Sequence, residues 1–236
     1  RDPSPLANRR GLANRGAHAL PKSILFTAFE PSGDAHAAGV IRELREAAPA
    51  LNVYAWGGPK MAEAGATVIE ESASTAAMGL SALGKVARVR RHVREIRRWS
   101  KQYRVLVHVP VDSPAANFPI CKVMRGTGAR IVHLVAPQLW AWGRWRLGKL
   151  RKLSDLVLCL LPFEEEWFGS RKIPARFIGH PRINRELDAE LDVRVRELPQ
   201  GSPHIAVLPG SRGHEAKANI RLLASVFDEI QSRHSG

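Results

Sequence analysis

Short β-rich apolar runs that alternate with helical patterns constrain this chain more than any other feature. The runs are SILFTAF (23–29), NVYAWGG (52–58), ATVIE (66–70), RVLVHVPV (104–111), RIVHLVAP (130–137), SDLVLCLLP (154–162) and ARFIGH (175–180). Several are apolar at consecutive positions, which suits strands covered on both faces. With a helix between most of them, the pattern predicts an α/β fold built on a doubly wound parallel sheet. Ligands of such sheets lie at the carboxyl ends of the strands.

The 236 residues suffice for one large domain, or one domain and part of a second. Residues 22–180 read as one α/β domain. From Pro181 the texture turns polar and is punctuated by Pro and Gly, so 181–203 reads as a connector. A fresh unit follows, with HIAVLPG (204–210) as a strand, SRG as a turn, and a helix carrying Ile220, Leu223, Phe227 and Ile230 on one stripe. One strand and one helix cannot bury their apolar faces alone, so 204–236 is expected to open a second domain that is truncated here. Residues 1–21 carry arginines but no apolar h-region, and are expected to be a disordered or non-native tail rather than a secretory signal.

The formal charge of +14 calls for an anionic partner: nucleic acid, a phospholipid surface or a phosphorylated substrate. Cys121 and Cys159 each lie in an apolar stretch, which indicates neither a disulfide framework nor a thiolate metal site. The histidines show no zinc spacing, so neither a metal nor another cofactor is expected. No stretch approaches the ~18 apolar residues of a membrane span.

Five constellations carry chemistry. The first is FEPSGD (29–34), a strand-to-helix loop with two carboxylates where a phosphate cradle would leave none. Ser32 or Asp34 can cap the following helix, and Glu30 at a strand's carboxyl end suits sugar hydroxyls better than phosphate oxygens. The second is VPVDSPAANF (109–118), in which Asp112 can accept a proton from an attacking hydroxyl, or simply cap the next helix or open a turn before Pro114. The third is LPGSRGHE (208–215): Gly210 and Gly213 permit a tight turn, and Arg212 offers a forked cation matching a diphosphate. An ordinary turn with an exposed Arg accounts for it equally.

The fourth constellation is the helical stretch 84–104. Val86, Val89, Val93, Ile96 and Tyr103 form its apolar stripe, and Glu95 is its one acid among crowded Arg and Lys. It can lie on anionic lipid or on nucleic acid, or pack on the sheet with a solvated basic face. Arg90, Arg91, Arg94, Arg97 and Arg98 are its candidate membrane-facing residues. The fifth is the segment 134–155, where Trp140, Trp142 and Trp145 precede a basic run in the manner of an amphipathic interface segment.

Taken in order, these motifs resemble the lipid-A-disaccharide synthase family, inverting glycosyltransferases of the two-domain GT-B architecture. The family's G-E-T-S-G-D is matched by Glu30, Ser32, Gly33 and Asp34, its A-G-P-x-M by GGPKM (57–61), and its M-G turn by Met78 and Gly79. I-D-x-P-x-F-N is similar to the segment holding Asp112, Pro114 and Asn117; S-P-x-x-W-A-W to APQLWAW (136–142). L-P-F-E is repeated in Leu161–Glu164, F-I-G-H in Phe177–His180 and L-P-G-S-R in Leu208–Arg212. The resemblance implies a Rossmann-like acceptor-side domain followed by the start of a nucleotide-sugar-binding domain. It implies transfer of diacylglucosamine from UDP-2,3-diacylglucosamine to 2,3-diacylglucosamine 1-phosphate, without a metal, at the inner face of a bacterial cytoplasmic membrane. On this reading Asp112 is the base, and Glu30, Ser32, Gly33, Asp34, Met78, Gly79 and Asn117 bind substrate. Gly210, Ser211, Arg212 and Gly213 hold the diphosphate, the basic helix and the tryptophans meet anionic lipid, and a homo-oligomer is compatible.

The sequence departs from the family pattern at Phe29, Pro31, Ala136 and Ala115-Ala116, where the family has Gly, Thr, Ser and Asp-Phe. The family's later S-G-T-x-x-x-E motif does not occur. The chain is therefore expected to be inactive alone. The competing reading is an inactive fragment or paralogue that serves as an anionic-lipid or protein-binding module. A nucleic-acid partner rests on charge alone and is not expected.

Overall fold

The computed structural model describes residues 22–73, 82–180, 185–198, 205–210 and 213–234. The expected tail 1–21 and the candidate residues Met78, Gly79, Ser211 and Arg212 lie outside these. Two compact units divide the chain, Arg1–Asn184 and Arg185–Gly236.

The first unit runs β1 (Lys22–Thr27), α1 (Pro31–Ala47), β2 (Asn52–Gly57), α2 (Pro59–Glu63), β3 (Thr67–Glu71), α3 (Ala82–Trp99), β4 (Arg104–Pro110), α4 (Pro114–Arg125) and β5 (Arg130–Leu134). A single 3-10 turn (Arg144–Arg146), α5 (Leu147–Leu153), β6 (Leu156–Cys159), α6 (Pro162–Gly169) and β7 (Ala175–Phe177) complete it. Proline opens α1, α2, α4 and α6 at the first turn, where its missing N–H costs no hydrogen bond and its fixed φ suits the helix.

All seven strands pair in parallel, in the order β3-β2-β1-β4-β5-β6-β7, so the expected doubly wound α/β sheet is present. Ala37, Ala38 and Ile41 of α1 and Met61 of α2 fill the core on one face. On the other, Ile96 of α3 packs with Ile120, Cys121 and Met124 of α4, and Phe118, Leu150 and Phe168 join α4, α5 and α6. The chain leaves β1 toward one edge and leaves β4 toward the other. The order therefore reverses between β1 and β4, and this switch point opens a crevice at their carboxyl ends. Cys121 and Cys159 are buried free thiols, and burial pushes both pKa values up to about 12.

The second unit differs from its sequence reading. The stretch read as connector contains a helix, α7 (Arg185–Arg196), whose run RELDAELDVRVR has no Pro or Gly to stop it. Residues 205–210, read as a strand, belong to none. An extended segment becomes a strand only by pairing, and the other described residues of its unit are mainly helical. The long α8 (Gly213–His234) follows; Leu223, Phe227 and Ile230 are half-buried, whereas Ile220 is exposed.

Candidate functional site

Both candidate carboxylates stand at the switch point, Glu30 after β1 and Asp112 after β4. Val111 N–H donates to Thr27 O at 2.9 Å and Asp112 N–H to Leu134 O at 3.0 Å, so the end of β4 is held between its two neighbouring strands. The next step is strained: Asp112 and Ser113 have φ of 46° and 40°, the left-handed region that non-glycine residues enter at a cost. Asp112 does not cap α4, because Ser113 occupies the cap position and makes no side-chain cap bond. The turn leaves the carboxyl half-buried beside a cavity of about 220 Å³, also lined by Pro114, Val135, Gln138, Leu139, Trp142 and Arg146.

Burial raises the Asp112 pKa above the ordinary aspartate value, and the charge of Glu30 pushes it the same way. The Ser113 backbone N–H and His36 oppose the shift. Glu30 accepts a hydrogen bond from Ser113 Oγ at 3.1 Å, which ties the first loop to the second across the crevice. His36, on α1, meets His180 edge-on with ring centroids 5.9 Å apart. Neither histidine was expected at the site from spacing; the F-I-G-H match ending in His180 was the one available signal.

Asp34 is not free to read a sugar. Neither it nor Ser32 caps α1, because the helix begins at Pro31 with Glu30 in the cap position. Instead the Asp34 carboxylate accepts from Gly58, Lys60 and Met61 N–H at 3.0, 3.1 and 3.1 Å, and so caps the start of α2. Gly58 must lack a Cβ here, since one would lie 2.6 Å from Asp34 Oδ2. Gly33 serves close packing, its Cβ position being 3.3 Å from Ala28 Cβ, while Ser32 is exposed.

Asn117 is likewise committed inward. Its Nδ2 donates to the carbonyls of Val111 at 3.0 Å and Asp112 at 2.8 Å, and its Oδ1 accepts from Thr27 Oγ1 at 2.7 Å. With no exposure at all it supports the Asp112 turn from behind rather than touching substrate. Glu164 of the L-P-F-E match also serves structure, taking Leu161 N–H at 3.1 Å and Trp140 Nε1 at 3.0 Å.

The candidate membrane-facing residues separate into two groups. Trp142 and Trp145 are 60% and 77% exposed, with the Arg146 guanidinium 5.1 and 5.6 Å from their ring centroids. Arg90, Arg94, Arg97 and Arg98 are exposed on α3, which ends at Trp99, so Tyr103 lies beyond it and stacks on Trp99. Trp140, by contrast, is half-buried between Glu164 and the Phe163 ring. Arg91 is drawn into ion pairs with Glu70 and Glu95. Among the described residues no helix is long and apolar enough to cross a membrane.

In the second unit Gly210 has φ 121°, open to glycine, and Gly213 begins α8. A family model described as lipid-A-disaccharide synthetase matches residues 24–236. The lipid-A-disaccharide synthase of Solibacter usitatus is 35% identical over 215 residues, which is 89% of this chain and 56% of that protein. The one from Myxococcus xanthus is 30% identical over 220 residues, 92% and 57% of the two chains. The chain thus spans about half the length of the curated relatives it matches. Among solved structures, MurG of Acinetobacter baumannii is similar at a TM-score of 0.47 and 14% identity, over 70% of this chain and 47% of that one.

Proposed function

The chain belongs to the lipid-A-disaccharide synthetase family, and we propose that it is the acceptor-side part of an inverting glycosyltransferase of lipid A synthesis. The donor is UDP-2,3-diacylglucosamine and the acceptor 2,3-diacylglucosamine 1-phosphate. Asp112 takes the proton of the acceptor's 6-hydroxyl. That oxygen attacks the donor's anomeric carbon as the bond to the UDP diphosphate breaks, giving the β-1',6-linked disaccharide and UDP.

One observation carries this reading: a carboxylate held on a strained turn at the topological switch point, half-buried and opening on a cavity. A raised pKa makes its ionised form a stronger base, the direction that general-base catalysis favours. Glu30 accepts from sugar hydroxyls beside it. Gly210, Ser211, Arg212 and Gly213 hold the departing diphosphate with backbone N–H groups and a forked cation. Trp142, Trp145 and the exposed arginines of α3 meet the anionic inner face of the cytoplasmic membrane, where acylated substrates reside.

The test is disaccharide formation by the full coding sequence that contains this chain, beside its Asp112→Ala variant. The variant is expected to lose about 10²–10⁴ in kcat with KM little changed. Equal rates in the two would remove Asp112 from the chemistry. A second reading, an anionic-lipid-binding module without turnover, is favoured by the exposure of Trp142 and Trp145. It is supported if the well-folded full protein forms no disaccharide yet sediments with phosphatidylglycerol vesicles, and loses that binding in Trp142→Ala/Trp145→Ala.

A further inference from the structure

Between the edge strand β3 and α3, three ligating side chains converge. Glu70 comes from β3, His92 and Glu95 from α3, and one donor atom of each lies within 4.8 Å of the others. His92 is only 2% exposed, yet neither of its ring nitrogens has a hydrogen-bond partner, and the buried Glu95 Oε2 has none either. Buried polar atoms left unsatisfied are costly, and each calls for an occupant.

The spacing identifies that occupant. His92 Nδ1 is 3.4 Å from Glu70 Oε2 and 3.8 Å from Glu95 Oε2. Metal–ligand bonds of ~2.0–2.2 Å at tetrahedral angles put neighbouring donors roughly 3.3–3.6 Å apart, close to these separations. The surroundings assist. Arg91 engages Oε1 of both carboxylates, by its Nη2 to Glu70 and by its Nε 3.8 Å from Glu95, which leaves both Oε2 atoms for the histidine side. Trp56 Nε1 donates to Glu70 Oε2 at 3.1 Å, orienting it as outer-shell donors orient metal-binding carboxylates. The two carboxylates bring two negative charges to the donor set, with Arg88, Arg91 and Arg94 around it.

We infer that Glu70 Oε2, His92 Nδ1 and Glu95 Oε2 bind one divalent transition metal of the zinc class, pinning β3 to α3. An imidazole with two carboxylates suits zinc better than magnesium or calcium, which favour all-oxygen shells. The role is structural, since the three donors join α3 to the edge strand β3.

The test is calorimetric titration of the chelator-stripped chain with zinc chloride, followed by thermal unfolding with and without the metal. One equivalent is expected to bind saturably and to raise Tm. His92→Ala and Glu95→Gln are each expected to weaken binding tenfold or more. Glu95 is 37% exposed, so its conservative variant decides the matter if His92→Ala fails to fold. The inference is overturned if the stripped chain shows no stoichiometric binding, as when the two carboxyl groups merely share a proton. Unchanged binding in Glu95→Gln, which would place the metal on other histidines, overturns it as well.

Discussion

At the scale of single residues, Asp112 trades stability for position. Its carboxylate is ionised against partial burial and the charge of Glu30, and its backbone occupies the left-handed region. A carboxyl whose folded pKa is raised stabilises the folded chain fully below its unfolded pKa, and that contribution is lost as pH rises through the folded pKa. Asp112→Asn removes the charge and places at φ 46° a residue that accepts the left-handed region readily. It is therefore expected to raise Tm at pH 7 by a few degrees. In thermal melts followed by circular dichroism, the part of the gain due to charge should vanish below pH 3.8, the ordinary value of the group. A lower Tm in the variant at pH 7 would mean that the turn gains more from the carboxylate than it loses. Asp112 and Glu30 were legible as site candidates because both follow apolar strands. Asp34 and Asn117 looked equally polar in sequence, and only their partners show that both are spent on the scaffold.

At the scale of elements, Asp34 joins α1 to α2. Replacing it by Ala leaves three backbone N–H groups at the α2 start without an acceptor. The expected loss is about 3 kcal/mol, measured as a shift of the urea midpoint at constant slope. Asp34→Asn should lose less, since its Oδ1 can still accept from Gly58 and Met61. The seven strands of the sheet were readable to within a few residues, because each is an apolar run closed by Gly, Pro or a charged residue. The eighth was not. HIAVLPG has the composition of a strand, but pairing is supplied by another segment and cannot be read from its own residues. The Glu70, His92 and Glu95 cluster escaped spacing rules for a related reason: two of its members are three residues apart on α3, and the third arrives from β3.

At the scale of the whole molecule, the sheet interior sets the response to acid. His108 and His133 lie inside the sheet and its helices, and burial lowers both pKa values to about 3 from 6.5. The folded chain keeps them neutral while the unfolded chain protonates them, so stability is present above pH 6.5 and falls as pH drops toward 3. Each contributes a slope of about 1.4 kcal/mol per pH unit across that window. Urea unfolding between pH 7 and 4 should show the combined slope, and His133→Asn should roughly halve this contribution; a pH-independent midpoint would show that the two histidines titrate alike in both states. By itself the sequence determined the fold class, the order of strands and helices, and the ends of strands at which carboxylates stand. Those properties follow from hydrophobic periodicity and from breakers, which are local. Tertiary structure alone decided that β1 and β4 are neighbours, so that Glu30 and Asp112 face one crevice, and which polar residues are consumed in holding it open. The physical reason is that a side chain's free hydrogen-bonding capacity is what remains after its spatial neighbours are served, and neighbours across a parallel sheet lie scores of residues apart in the chain.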